Sequence, residues 1–136
     1  MEIRELTATE QQREAVPIIQ QLWSDKTAAE ILDWTGETEY YLFGGVVDDS
    51  LVGVAGVVVA DHLHHIDHAW LYDLVVDEAH RENGHGTALL EFVEAWATDR
   101  DCDAIALASP RSKERVHQYY TDRDYEKWGY IVEKEL

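Results

Sequence analysis

Residues that form cross-links or bind nucleic acids are scarce in this sequence. Cys102 is the single cysteine, so neither an internal disulfide nor a thiolate metal site can form. Only 11 lysines and arginines stand against 28 aspartates and glutamates, which leaves a net charge of −17. Since nucleic acids are bound through a basic surface, this balance argues against a nucleic-acid-binding protein.

Long apolar runs, linkers and repeats are also missing. No stretch approaches the roughly 20 apolar residues that cross a bilayer, so we expect no membrane partner. The first residues lack the basic-then-apolar order of a secretion signal, and we therefore expect a cytoplasmic protein. The 136 residues, 46% of them hydrophobic, fit a single domain over residues 1–136 with a substantial core.

The spacing of apolar residues predicts alternating helices and strands. Ala15, Ile18, Ile19 and Leu22 repeat at helical spacing, whereas residues 69–76 resemble a short buried strand. The full set of predicted strands is 3–6, 40–47, 51–60, 69–76, 104–108, 125–128 and 130–133, with helices at 10–23, 27–34, from 84 onward and at 112–121. Residues 48–50, Asp-Asp-Ser, are a turn signal that predicts a hairpin between the second and third strands. This order, β-α-α-β-β-β-α-β-α-β-β, predicts an α/β fold whose mixed sheet contains one parallel pair within residues 69–108.

A glycine-rich turn follows the strand at 69–76 and opens a helix. Helix N-termini attract phosphate, and Gly84 and Gly86 let the backbone approach an anion closely. Arg81 adds a positive charge in an otherwise acidic chain. The turn lacks the Gly-Lys-Ser/Thr of a P-loop and the third glycine of the dinucleotide fingerprint. The alternative is an ordinary helix cap with turn glycines and an exposed arginine.

Residues 71–90, LYDLVVDEAHRENGHGTALL, contain Arg-x-x-Gly-x-Gly between the fourth strand and third helix. This stretch and the order of elements resemble the GNAT superfamily of N-acetyltransferases. The resemblance implies that acetyl-CoA is the cosubstrate and that an amine accepts the acetyl group in a ternary complex. It also implies that backbone groups of Leu74, Val75 and Val76 bind the pantetheine arm. The pyrophosphate would lie against Arg81, Glu82, Asn83, Gly84, His85, Gly86 and Thr87.

The resemblance also implies an acid on the fourth helix, where the family often carries a tyrosine. Tyr120 matches that tyrosine and Tyr125 the following aromatic, while Asp124 replaces the usual glycine. Aspartate also enters left-handed turns, so the replacement is tolerable. Lys113 replaces an asparagine that contacts CoA in many members, and it could still place a positive charge near CoA. The alternatives are that Tyr120 simply packs against the sheet and that Lys113 is solvated.

The base is less defined by the sequence. Some relatives carry a glutamate at the position of Tyr72, and Asp73, the adjacent acid, is the candidate base. Strand alternation places Asp73 on the opposite face, so its alternative role is a hydrogen bond inside the sheet. His62, His64, His65 and His68 cluster before this strand. They are interpreted as a solvated loop, with a substrate contact or metal site as alternatives; we assign no metal ligand.

The acceptor is expected to be a small-molecule amine or a protein amino group. It would enter near the first helices, where Trp23, Trp34, Tyr40 and Tyr41 line the entrance or, alternatively, belong to the core. Many relatives pair as dimers, which makes a homodimer a further expectation. The competing hypothesis is a CoA-binding sensor or interaction module without transferase activity.

The acidic residues are spread along the chain and only four of the basic residues are lysines. Charge of this kind suits either a halophilic protein, in which salt screens self-repulsion, or a field that attracts cationic substrates. The even spread favours high salt, because steering needs local charge.

Salt should therefore stabilise the fold. At 1 M the screening length falls to about 3 Å, which removes most repulsion between surface carboxylates. We expect a higher melting temperature in molar KCl than in low salt, measured by circular dichroism. Lower stability in molar KCl would contradict the interpretation.

Overall fold

Five strands form a mixed sheet in the spatial order β1-β2-β3-β4-β5. The computed structural model describes residues 1–60 and 67–136. These residues fall into two units, Met1–Ala106 and Leu107–Leu136. The strands of the first unit are β1 Glu2–Glu5, β2 Tyr40–Val47, β3 Ser50–Ala60, β4 His68–Val76 and β5 Ala104–Ala106. Its helices are α1 Thr9–Leu22, α2 Ala28–Thr35 and α3 His85–Asp99, with a 3₁₀ turn at Glu78–His80.

Helices cover both faces of the sheet because strand side chains alternate between them. Ile19 of α1 and Ile31 of α2 are fully buried in one cluster with Leu42 of β2. Phe43, the next residue of β2, points to the other face and packs against the rings of Phe92 and Trp96 in α3. The apolar stripe predicted for residues 15–22 is therefore the buried face of α1.

The predicted hairpin and the predicted parallel pair are both present. β2 and β3 are antiparallel, and Asp48 and Asp49 both have positive φ at the turn between them. Aspartate tolerates this left-handed conformation better than most residues. β4 and β5 are parallel and are connected through α3, as the β-loop-α-β pattern predicts.

β4 contains an irregularity that the sequence pattern does not show. Asp73 is opposite Gly56 of β3, but Leu71 is opposite the next residue, Val57. Tyr72 is therefore an extra residue in β4, which makes a β-bulge. The pairing with β5 covers only residues 68–70 of β4. Within the described residues, the second edge of β4 has no strand partner from residue 71 onward.

The second unit contains α4 Glu114–Thr121, followed by residues without regular structure. The strands predicted at 125–128 and 130–133 are wrong, because no strand follows α4 in the part of the chain that is described. Trp128, Tyr130 and Val132 are 70%, 87% and 91% exposed. Alternating apolar residues form a strand only when a neighbouring strand supplies hydrogen bonds, and none does so here.

The remaining boundaries differ from the predictions by a few residues at most. The strand predicted at 104–108 ends at Ala106, and the helix predicted from 112 begins at Glu114. None of the helices in residues 1–60 and 67–136 combines the length and the apolar character that crossing a membrane requires.

Candidate active site

The bulge in β4 directs two consecutive side chains to the same side of the sheet. Tyr72 and Asp73 both line one cavity, on the face that α1 and α2 cover. The expectation that Asp73 lies on the face opposite to Tyr72 is wrong, because the extra residue interrupts the strict alternation on which it was based. The carboxylate therefore lies beside the position where some relatives carry a glutamate.

Asp73 is a buried acid held by two aromatic side chains. It is 3% exposed. The indole N–H of Trp23 donates to Oδ1 and the hydroxyl of Tyr40 donates to Oδ2 at 2.5 Å. Burial raises the pKa of Asp73, and these two hydrogen bonds oppose the rise by stabilising the carboxylate. Burial, followed by the charge of Asp73, raises the pKa of Tyr40 well above its usual value.

Gly56 makes room for this arrangement. It lies opposite Asp73 in β3, and a Cβ built on it would overlap the hydroxyl of Tyr40. Any larger residue at position 56 would therefore displace the tyrosine from the carboxylate. A glycine inside an apolar strand indicates such a close approach or a bulge, but β3 also contains Gly53, so the sequence pattern alone does not single out position 56.

The cavity beside Asp73 has a volume of about 690 Å³. Trp23 and Trp34 form one corner, with ring centroids 6.3 Å apart and an edge-to-face angle of 83°. Tyr41, predicted at the same entrance, instead packs on Trp96 across the sheet. The complete lining is Trp23, Lys26, Trp34, Glu37, Thr38, Glu39, Tyr40, Val58, Tyr72 and Asp73. The acids at 37 and 39, Lys26 and Val58 were not predicted, because sequence spacing does not show which loop residues meet a strand.

A network of side chains holds the loop after β4. The Arg81 Nε donates to the carbonyl of Val76 at 3.0 Å, and its Nη2 donates to Oε1 of Gln21 at 3.4 Å. Gln21 also accepts from the backbone of Glu78, and Asn83 donates to the carbonyls of residues 80 and 81. Part of the Arg81 guanidinium is thus used to tie the loop to β4 and α1. Gln21 was missed by the sequence analysis, since nothing links it to the loop except tertiary structure.

The glycines of the loop have different roles. Gly84 precedes α3 with φ of +79°, a conformation that disfavours every side chain with a Cβ, and a Cβ there would project into open space. A Cβ on Gly86 would lie 3.5 Å from the Val76 side chain. Glu82 also has positive φ. The loop thus presents bare backbone beside the N-terminus of α3, where helix N–H groups face outward.

These features fit the cosubstrate that the sequence pattern implies. Leu74, Val75 and Val76 lie on the stretch of β4 whose second edge has no strand partner among the described residues. Backbone N–H and C=O groups there can pair with the amides of a pantetheine arm. The loop with Glu82, Asn83, Gly84, His85, Gly86 and Thr87 begins directly beyond, where a helix N-terminus attracts a pyrophosphate.

The remaining predicted residues belong to the second unit. Tyr120 is half-buried in α4, between the rings of Tyr119 and Tyr125, each at 5.2 Å. Burial raises the pKa of Tyr120 to about 12. Asp124 has φ of +67°, so it adopts the left-handed conformation expected where the family has glycine. Lys113 is exposed and directly precedes α4, without a capping hydrogen bond from its side chain.

Of the four histidines that cluster before β4, His68 belongs to the described part of the chain. His62, His64 and His65 lie outside the described residues, and His68 is buried at the start of β4. Within residues 1–60 and 67–136, no group of three or more His, Cys, Asp or Glu side chains is placed to bind a metal ion.

Solved structures with this fold include several acetyltransferases. The aminoglycoside N-acetyltransferase AAC(6')-Iy, solved with CoA, has a TM-score of 0.87 at 15% identity over 99% of this chain and 93% of its own. The aminoglycoside 6'-N-acetyltransferase AAC(6')-IG from Acinetobacter haemolyticus has a TM-score of 0.86 at 17% identity over 100% and 98%. At these identities the likeness concerns the fold.

Sequence comparison identifies the family. The chain is 25% identical over 138 residues to YhdJ of Bacillus subtilis (strain 168), which is named an uncharacterized N-acetyltransferase. The match covers 98% of this chain and 94% of the relative. The sequence model of the acetyltransferase (GNAT) family matches residues 3–128. With the sheet, the glycine loop and this match in agreement, the chain belongs to the GNAT family of acetyltransferases, which use acetyl-CoA.

Proposed function

We propose that this protein is an N-acetyltransferase that transfers the acetyl group of acetyl-CoA to a primary amine by direct attack in a ternary complex. One observation carries the proposal: the buried carboxylate of Asp73 lies on the bulge of β4, with the cavity on one side. The same strand continues into the unpartnered edge and the glycine loop. An amine in the cavity and a thioester along β4 would meet at this residue.

Asp73 is proposed as the proton acceptor for the amine. An amine with a pKa near 10 is protonated at neutral pH, and forming its neutral state costs about 4–5 kcal/mol. The raised pKa makes Asp73 a stronger base than an exposed aspartate. Its carboxylate also attracts the protonated amine into the cavity, so one residue serves for binding and deprotonation.

Acetyl-CoA supplies the acetyl group, activated as a thioester. The backbone of Leu74, Val75 and Val76 would hold the pantetheine arm, as the unpartnered edge of β4 allows. The pyrophosphate would rest on residues 81–87, with Arg81 contributing charge through the N–H groups that Val76 and Gln21 do not use.

Tyr120 is proposed as the donor to the departing CoA sulfur. With a pKa of about 12 it stays protonated throughout the neutral range. An ordinary thiol has a pKa of about 8.5, so complete proton transfer from this phenol would be uphill. The useful contribution is an O–H hydrogen bond to the sulfur as negative charge develops on it. Lys113 is proposed to add positive charge near CoA.

A CoA-binding sensor on the same fold is the second candidate. Both carboxylate oxygens of Asp73 already accept a hydrogen bond, one from Trp23 and one from Tyr40. This is also what a purely structural aspartate would show. The sensor therefore predicts CoA binding without acetyl transfer.

We also propose a domain extent, an acceptor class, a cellular location and an oligomeric state for this reaction. The family match spans residues 3–128, which supports one acetyltransferase domain over both units. Solved relatives named aminoglycoside acetyltransferases support a small-molecule amine as acceptor. A net charge of −17 supports a salt-rich cytoplasm. A homodimer remains a prediction.

The first test separates the enzyme from the sensor. We expect thiol release from acetyl-CoA with primary amines and a rise in melting temperature with CoA alone. Ligand at 100 times its Kd stabilises a protein by about 2.7 kcal/mol. Gly84→Ala should abolish the CoA-dependent shift, because alanine disfavours positive φ. Gly36→Ala is the control, since its φ is negative and its Cβ would make ordinary contacts. A CoA shift without thiol release from any amine would favour the sensor.

The second test concerns Asp73. Asp73→Asn can keep both hydrogen bonds, because the amide oxygen accepts from Trp23 and the amide nitrogen donates to Tyr40. We expect kcat to fall about 10²-fold or more, a typical contribution of a general base, with little change in melting temperature.

The pH dependence of kcat distinguishes a catalytic base from a structural aspartate, because a purely structural role would not produce it. Wild-type kcat should decrease as pH falls, since protonation of Asp73 removes the base. The midpoint should lie above the ordinary aspartate range, because burial raises this pKa. Asp73→Asn should lose this limb, whereas the exposed control Asp33→Asn should keep it. An unchanged kcat in Asp73→Asn would contradict the role.

The third test concerns Tyr120. Tyr120→Phe keeps the ring between Tyr119 and Tyr125 but removes the O–H donor. We expect kcat to fall about 10²-fold with nearly unchanged affinity for acetyl-CoA, measured by steady-state kinetics and calorimetry. Tyr119→Phe removes a hydroxyl from the neighbouring ring and is the matched control. Equal rates for wild type and Tyr120→Phe would reject Tyr120 as the donor.

A further inference from the structure

We infer that the cavity beside Asp73 selects an arylalkylamine, in which a short alkyl chain joins a primary amine to an aromatic ring. The inference rests on the proposed function and names the substrate class of the same site. It comes from the chemistry of the lining, which combines aromatic walls with a single buried carboxylate.

The walls suit a flat ring. Trp23 and Trp34 form an edge-to-face corner, so an aromatic ring entering it can stack on one indole while its edge meets the other. Tyr72 lies on the bulge, with more than half of its surface exposed, and it also lines the cavity. Val58 completes the apolar surface. These residues offer mainly contact area and ring geometry, and the Trp34 indole N–H and the Tyr72 hydroxyl are their polar groups.

The charged end of the ligand has one buried partner. Asp73 is the buried acid of the lining, whereas Glu37 and Glu39 are exposed. Lys26 is the cation in the lining and is outnumbered by these three carboxylates. Indole and phenol rings beside an ammonium add cation–π attraction. A ligand with an ammonium group at Asp73 and an apolar group at Trp23 and Trp34 therefore complements the cavity.

A polyhydroxylated amine matches it less well. The polar atoms nearest Asp73, the Trp23 indole N–H and the Tyr40 hydroxyl, already donate to that carboxylate. Hydroxyl groups of a sugar packed against Trp23 and Trp34 would leave water for aromatic carbon, which is unfavourable. The polar side chains that could bond them belong to loop residues of the lining, namely Lys26, Glu37, Thr38 and Glu39. The cavity therefore differs in chemistry from what the aminoglycosides named for the solved relatives would require.

The test compares matched amines in two assays. Binding is measured by calorimetry without acetyl-CoA, and turnover by thiol release with it. We expect 2-phenylethylamine to bind at least tenfold more tightly than 2-cyclohexylethylamine, which has the same charge but no π system, and than 2-phenylethanol, which has no charge. We also expect kcat/KM for 2-phenylethylamine to exceed the values for spermidine and kanamycin at least tenfold. Tighter binding or faster turnover of either polycation, or equal binding of the cyclohexyl amine, would overturn the inference.

Variants connect the preference to the cavity. Trp34→Leu should weaken 2-phenylethylamine binding about tenfold. Trp96→Leu makes the same change in a half-buried tryptophan that packs on Phe43 across the sheet, and should leave binding within twofold. Tyr72→Leu alters a side chain that is more than half exposed, so it tests the same wall if Trp34→Leu fails to fold. Unchanged binding in Tyr72→Leu and in a folded Trp34→Leu would contradict the inference.

The two levels of the proposal fail differently. Selective binding of 2-phenylethylamine without thiol release would contradict the proposed transferase activity but support the proposed binding site. Thiol release with spermidine or kanamycin but not with 2-phenylethylamine would support the transferase activity and contradict the proposal that an arylalkylamine is the substrate.

Discussion

The pair of hydrogen bonds that Trp23 and Tyr40 donate to Asp73 determines the geometry around which the first unit is built. A carboxylate this deeply buried is tolerated only when its oxygens are bonded, so the end of α1, the start of β2 and the middle of β4 must stay together. Gly56 is part of the same constraint, because the Tyr40 hydroxyl occupies the space that its side chain would fill. Removing one donor would leave a buried charge short of a partner, which is typically more costly than losing an exposed hydrogen bond.

The two hydrogen-bonding edges of β4 have different roles in the proposed reaction. One edge pairs with β3 along almost its whole length, and this rigid pairing fixes the bulge at Tyr72. The other edge pairs with β5 for three residues, and no other strand in residues 1–60 and 67–136 covers it, so its later backbone groups can meet an extended ligand in the proposed reaction. Arg81 and Gln21 hold the loop that follows. The strand therefore needs an irregularity on one side and a missing partner on the other, and both oppose the usual tendency of a sheet to complete its hydrogen bonds.

The acidity of the chain and the chemistry of the cavity are connected. In a protein with a net charge of −17, every cation is attracted at low salt, so long-range attraction distinguishes poorly between amines. In high salt that attraction is screened within a few ångströms. In the proposed reaction, selectivity would then depend on short-range contacts: the aromatic corner of Trp23 and Trp34, the ring of Tyr72 and the buried carboxylate of Asp73. A buried charge is screened much less than the surface acids, so it keeps its influence under both conditions.

Local patterns in the sequence were enough to predict β1 to β5, the four helices, the hairpin at Asp48 and the glycine turn before α3, because each depends on residues that are neighbours in the chain. The left-handed conformation of Asp124 was expected from the family resemblance, because the family carries glycine at that position. The sequence did not reveal the bulge at Tyr72, the cavity or the anchoring of the loop by Gln21, since each depends on contacts between distant segments. It also suggested two final strands, because alternating apolar residues show only that a segment could pair as a strand, not that a neighbouring strand is available. The sequence by itself determined the family and the glycine turn that opens α3, whereas tertiary structure decided which way Asp73 points, because an extra residue in one strand reverses the alternation from which its direction would otherwise be inferred.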